Sequence, residues 1–240
     1  GEYQQKPDDI AVVLNGLTPD VVVLQEVENQ NVISDLAAKL GGLSHLHITQ
    51  GNDPRGIDIA IASRFPIDKV VSHAQEVFSS SASGQTFKFA RDVLEAHVTI
   101  GPRHVIFFGV HFKSGGTAED IDKRLAESEQ TRKLVTQAEG LDPGAASIVL
   151  GDFNYNMTAN TPALTALTGS TPPLVSATSG LAAQDRFSVT FGGNPQLYDE
   201  QLIDPEALSA LDPASVEIEH GSAVDAAADH DPVAASYVFE

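Results

Sequence analysis

Ser147-Ile148-Val149-Leu150-Gly151-Asp152-Phe153-Asn154 passes from apolar to polar near the middle of the chain. Its apolar half reads as a core strand. Asp152 and Asn154 stand two residues apart, and on extended backbone alternate residues share a face, so a carboxylate and an amide point together. Strand C-termini are where α/β folds build ligand sites. An Asp and an Asn aimed together suit a phosphate, an attacking water and a divalent metal.

The 240 residues fall within the range of one large domain, and a hydrophobic fraction of 42% can fill a substantial core. The net charge is −19, with 14 Lys and Arg against 33 Asp and Glu. Such a surface repels nucleic acid at long range and counts against tight, non-specific duplex binding. Without cysteine there is neither a disulfide nor thiolate chemistry. No run approaches the roughly 18 apolar residues of a membrane span. Gly1-Glu2-Tyr3 is no signal peptide and does not begin with Met, so a processed, trimmed or incomplete chain is expected.

No internal repeat or low-complexity linker divides the chain. A helix is expected over 8–14, and Leu17-Thr18-Pro19-Asp20 is a turn that launches a strand over 21–25. A second helix over 31–40 is stopped by Gly41-Gly42. Asn52-Asp53-Pro54-Arg55-Gly56 reads as a loop. Strands are expected over 57–63, 92–100 and 104–112, the last two joined through Gly101-Pro102 as an antiparallel hairpin. The longest helix is expected over 120–138. Residues 170–184 are rich in Ser, Thr, Ala and Pro and read as a long surface loop. Late strands are expected over 197–203 and 233–239. Many strands with a few interspersed helices imply two sheets packed face to face with helices outside.

Each polar group at a strand end has two readings. Glu26 closes the apolar run from Val21 to Leu24; it is either solvated or balanced by a hard divalent cation. In Arg55-Gly56-Ile57-Asp58, Asp58 could orient a histidine and Arg55 could face a phosphate, or both could serve surface ion pairs. Arg91, in Phe89-Ala90-Arg91-Asp92, reads as a phosphate ligand or a structural ion-pair partner. His111 and Lys113 end a strongly apolar strand and share a face. They suit a phosphoryl oxygen, with a satisfied core histidine as the plainer reading. Asp229-His230-Asp231-Pro232 offers acid-base chemistry, with Asp199 as a candidate to orient His230; a solvated loop histidine is the alternative. His45, His47, His73, His97 and His220 have no such context and read as structural or exposed. There is no His-Glu-x-x-His, Walker lysine loop or Gly-x-Ser-x-Gly elbow, which excludes zincin proteases, P-loop nucleotidases and α/β-hydrolases.

In order along the chain, these pieces resemble the endonuclease/exonuclease/phosphatase family. The matching stretches are Leu24-Gln25-Glu26-Val27, Arg55-Gly56-Ile57-Asp58, Phe89-Ala90-Arg91, His111-Phe112-Lys113-Ser114, Gly151-Asp152-Phe153-Asn154, Tyr198-Asp199 and Asp229-His230-Asp231-Pro232. The resemblance implies a four-layered α/β sandwich, with two mostly antiparallel sheets face to face and helices outside, as a single domain over 1–240. It implies Glu26 as the main Mg²⁺ ligand, with Asp229 near the metal. Asp152 would position or deprotonate the water, and Asn154 would hold a phosphate oxygen. His230, held by Asp199, would bind the phosphoryl group. His111 would contact phosphate with Asp58 as its partner, and Lys113, Arg91 and Arg55 would be accessory cations.

The chain departs from the pattern in two places. The family's first strand, ending in Asn, is missing, so an upstream segment outside this chain is expected. Ala228 stands where relatives carry Ser before Asp-His.

The implied activity is Mg²⁺-dependent phosphoester hydrolysis, with Mn²⁺ and Ca²⁺ as alternative metals. Phosphodiester cleavage in DNA or RNA by in-line attack of water is the leading expectation. A phosphatase or phosphodiesterase acting on a small-molecule or lipid phosphoester, or a non-catalytic binding module with a degenerate site, is the alternative. Analogy with bacterial relatives suggests secretion, and no protein partner can be inferred.

Overall fold

A computed structural model describes residues 2–239. Helix α1 (Glu2–Leu17) leads into β1 (Val21–Val27), α2 (Gln30–Ala37), β2 (His45–Thr49), β3 (Asp58–Ser63) and β4 (Ile67–Ser72). Short strands β5 (Phe78–Ser79) and β6 (Thr86–Phe87) precede the hairpin of β7 (Val93–Ile100) and β8 (Arg103–His111). Next come α3 (Ala118–Leu141), β9 (Ala146–Asp152), α4 (Pro162–Thr168) and β10 (Val175–Ser176). The hairpin of β11 (Val189–Phe191) and β12 (Asn194–Gln196) is followed by β13 (Asp199–Ile203), α5 (Pro205–Ala210), β14 (Leu211–Ile218), α6 (Ser222–Ala227) and β15 (Val233–Tyr237).

Two sheets carry the architecture. The smaller has the order β1-β3-β2 and the larger β10-β13-β9-β8-β7-β4. Pairing is antiparallel throughout except between β8 and β9, which the α3 crossover makes parallel. Strand β3 shows how period-2 alternation sets the layers. Ile59 and Ile61 face the larger sheet, where Leu94, Val98, Val105, Phe107 and Ile148 complete the inner core. Ala60 and Ala62 face the other way, onto Leu14 of α1 and Ile33 and Leu36 of α2. On the far side of the larger sheet, Phe108, Val110, Val149 and Leu202 pack on Leu134, Val135 and Leu167 of α3 and α4. The order is therefore helix, sheet, sheet, helix, the four-layered sandwich that the sequence implies. At Gly109 the larger sheet meets side chains of the smaller one: a Cβ there would lie 2.9 Å from Val23 Cγ1 and 3.1 Å from Ile59 Cγ2.

One expectation needs correction. Residues 170–184 are no free surface loop, since β10 adds an edge strand to the larger sheet. The cause is a buried carboxylate: Glu200 of β13 accepts hydrogen bonds from Ser176 Oγ and Thr178 Oγ1, both at 2.5 Å. Arg186 donates to the same two hydroxyls at 2.8 and 3.0 Å. Leu174, also buried, completes the anchor.

His73 and His97, read as structural or exposed, are structural. They join a line of hydrogen bonds that runs from Glu76 to His73 (2.7 Å), Glu95 (2.9 Å), His97 (2.6 Å), His104 (3.1 Å) and Asp142 (2.6 Å). Burial alone would raise the Glu95 carboxyl, but hydrogen bonds from His73 and His97 outweigh it and hold it at about 2. A depressed carboxylate contributes stability that is complete above its ordinary range and is lost as pH falls through the folded value. Glu95→Gln is therefore expected to cost about 2 kcal/mol at pH 6, several degrees in Tm. The gap to wild type should close as pH falls toward 2, which melting curves at stepped pH will check.

Candidate active site

Three neighbouring strands bring the central groups together by register alone. His111 at the end of β8 is the cross-strand partner of Asp152 at the end of β9. Asp152 is in turn the partner of Asp199 at the start of β13. The loop before β15 adds His230. Ligand atoms of Asp152, Asp199 and His230 all lie within 4.8 Å of one another. The fifth contribution comes from β1, across the sandwich. Gly151 has φ 133°, and a Cβ there would fall 2.1 Å from Val110 O and 2.8 Å from Gln25 Nε2. Only glycine lets β9 pass so close to β8 and to Gln25. Glu26 follows Gln25 at a register shift in β1, with φ 59°, and its carboxylate is exposed.

Asp152 is 7% exposed. Burial, then the charge of Asp199, raise its carboxyl well above the usual range. Its oxygens accept the Asn154 backbone N–H at 2.7 Å and the Asn154 Nδ2 at 2.9 Å. Asn154, at φ 54°, also donates from Nδ2 to Phe112 O at 3.0 Å. Its amide thus orients Asp152, and both Nδ2 hydrogens are directed inward rather than toward a phosphate.

His230 Nδ1 donates to Asp199 Oδ2 at 2.6 Å. Burial would lower this imidazole, but the Asp199 bond and the charges of Asp199, Asp152 and Asp229 outweigh it and raise it to about 9. It is an imidazolium at neutral pH. Ser188, which the sequence reading missed, completes the support: its Oγ donates to Asp199 Oδ2 at 2.8 Å and accepts the Asp199 N–H at 2.9 Å. His111 behaves in the opposite way. Burial, with the nearby charges of Arg91 and His230, lowers it to about 3, so the ring is neutral. Its Nε2 stands 3.4 Å from Asp152 Oδ2, and its Nδ1 is buried without a hydrogen-bond partner among the described residues.

Four of the expected site residues are paired elsewhere in this structure. Asp58 does not hold His111; its carboxylate accepts the Gly51 N–H at 2.7 Å, fixing the loop before β3. Lys113 is turned to Asp120, 3.0 Å away, and to Ser114 O at 2.7 Å. Arg55 and Arg91 converge on Asp53, a residue the sequence reading left inside its loop. Arg55 grips Asp53 through Nε and Nη2, each at 3.0 Å, and holds its carboxyl at about 2. Arg91 Nε lies 3.0 Å from Asp53 Oδ2, off the line of a hydrogen bond, while its Nη1 donates to Phe112 O at 2.8 Å. Asp229 is exposed and reaches the site through its charge on His230.

The sequence profile described as "Endonuclease/Exonuclease/phosphatase family" matches residues 1–216. The chain belongs to this family. No curated protein matches it significantly in sequence. Among solved structures, truncated Caenorhabditis elegans TDP2 superposes with a TM-score of 0.69 at 18% identity, covering 99% of this chain and 92% of that one. The human Nocturnin catalytic domain with bound sulfate gives 0.70 at 16% identity, covering 97% and 86%. A mannosyl-6-phosphatase of Bacteroides thetaiotaomicron gives 0.67 at 17% identity, covering 99% and 92%.

Family membership makes the chain a metal-dependent phosphoesterase. The residues present suit such a site: carboxylate oxygens are donors for hard divalent cations, and Asp152 and Asp199 gather such oxygens within 4.8 Å of His230. The buried, unpartnered His111 Nδ1 is the kind of atom that a ligand satisfies. The ion pair between His230 and Asp199 gives a direct check. In metal-free protein, Asp199→Asn should lower the His230 imidazole from about 9 toward its ordinary range, read by NMR titration of the ring.

Proposed function

We propose that this chain hydrolyses small phosphoesters with Mg²⁺ rather than processing nucleic acid. The observation that carries this reading is the fate of its cations. Arg55 and Arg91 are committed to Asp53, and Lys113 to Asp120. With a net charge of −19, few cations remain to track a polyanionic backbone. A single phosphoryl group needs no such track, because a metal and two histidines suffice. Similarity to a mannosyl-6-phosphatase is in keeping with a small substrate.

Glu26 and Asp229 are the exposed carboxylates that would hold the cation. His230 is a poor metal ligand while it carries two ring protons, so the imidazolium is assigned to the substrate instead. When bound, the cation supplies positive charge against the phosphoryl oxygens and makes a water more acidic. Asp152, with its raised proton affinity and its orientation set by Asn154, receives the proton of the attacking water. His230 donates from Nε2 to a phosphoryl oxygen, held by Asp199 at Nδ1. His111, as the Nδ1–H tautomer, would donate from this buried nitrogen to a second phosphoryl oxygen. Arg91 acts from below by fixing the Phe112 carbonyl.

The test compares 4-nitrophenyl phosphate and bis(4-nitrophenyl) phosphate with supercoiled plasmid. Mg²⁺-dependent turnover of a small ester is expected, abolished by EDTA and lowered about 10³-fold by Asp152→Asn or His230→Ala. Mn²⁺ and Ca²⁺ arms establish metal preference. Plasmid nicking with neither ester turned over would reverse the substrate assignment. No turnover, together with no Mg²⁺ uptake by calorimetry, would indicate a binding module.

A further inference from the structure

Glu127 is a fully buried carboxylate on α3 that the chemistry above does not use. Among the described residues it has no cationic hydrogen-bond partner. Its Oε1 accepts the backbone N–H of Ala90 at 2.7 Å, and its Oε2 accepts that of Lys113 at 2.8 Å. Those two amides belong to the segments that carry Arg91 and His111. Burial raises the Glu127 carboxyl to about 7, against the pull of the Lys113 and Ala90 amides and of Lys123 and Arg91. A buried acid held at that cost, when an apolar residue would pack on the same helix face, needs a reason beyond cohesion.

The reason lies one residue away in each segment. Phe112, just before Lys113, accepts through its carbonyl from Arg91 Nη1 at 2.8 Å and from Asn154 Nδ2 at 3.0 Å. Asn154 in turn holds both oxygens of Asp152. A continuous line of hydrogen bonds thus runs from α3 to the group that receives the proton. We propose that Glu127 is a positioning residue for phosphoester hydrolysis: by binding both amides at once, it sets the separation of the Arg91 and His111 segments and with it the aim of Asp152. This rests on the phosphoesterase reading of the site. Two acceptors on one rigid carboxylate are required. A glutamine supplies one acceptor and turns an N–H₂ against the other amide, and an alanine supplies none.

The experiment compares wild type with Glu127→Gln and Glu127→Ala, using 4-nitrophenyl phosphate as probe. Leu134→Ala, which opens the core two turns further along α3, is the control for loss of stability alone. The expected order of kcat is wild type, then Glu127→Gln about 10-fold lower, then Glu127→Ala about 100-fold lower, with KM within threefold. The ring-nitrogen NMR signals of His111 should shift in the same order, while Leu134→Ala lowers Tm and leaves both readouts in place. In the wild type, the Ala90 and Lys113 amides should be among the slowest to exchange in their segments, a measurement that holds even if a variant does not fold. Unchanged kcat and His111 signals in folded Glu127→Gln would overturn the proposal, as would fast exchange of either amide. An inactive wild type would refute the phosphoesterase reading alone, because the His111 signals and amide exchange test Glu127 without turnover.

Discussion

Asp152 and Asp199 are cross-strand partners on β9 and β13, and two carboxylates held side by side in a partly buried site repel each other. That repulsion is the constraint around which the surrounding residues are arranged. Two outcomes are available: one carboxylate takes up a proton, or positive charge comes to the pair. Both occur here. Burial and Asp199 push Asp152 toward the protonated form, and the Asp199 bond keeps His230 charged. A base that holds a proton readily and an acid that keeps its own are the two complementary groups that hydrolysis by water needs. Their difference arises from neighbours, since His111, of the same residue type as His230, is pushed to the neutral state within the same site.

Positive charge is handled sparingly elsewhere. Asp53 takes both Arg55 and Arg91, and Asp120 takes Lys113. These pairs stiffen the loops around the site while leaving little free cationic surface. In the proposed function the same economy explains how a chain this acidic would receive a phosphoryl group: attraction would be concentrated on His230 and a metal instead of being spread over a basic face.

How much of this could be read from the sequence depended on period and on partners. The four layers were legible because β3 alternates Ile59, Ala60, Ile61 and Ala62, and because β8 and β9 are continuous apolar runs. The convergence of His111, Asp152, Asp199 and His230 was legible once their stretches were seen in family order. Glu127, Ser188 and Asp53 were not. The buried stripe of α3 repeats at helical spacing, but Arg124, Glu127, Ser128 and Thr131 occupy it, so hydropathy hides it. Asp53 lies in a segment that reads as loop and Ser188 in one where no element was expected, and their partners are 38 and 11 residues away in the chain. The Asp58 expectation failed for a related reason: proximity in a motif does not choose between a histidine and the nearer Gly51 amide. The 170–184 segment misled because its composition is that of a loop, while the buried Glu200 that draws it onto the sheet lies well outside it.

The central claim is that exposed carboxylates hold the cation while His230 is kept for the phosphoryl group. Anomalous diffraction from crystals grown with Mn²⁺ and inorganic phosphate tests it most directly. The account predicts a manganese ion at a coordination distance of about 2 Å from Glu26, with a phosphate oxygen on His230 Nε2. A manganese ion bound instead to His230 Nε2, with Glu26 left in solvent, would contradict it.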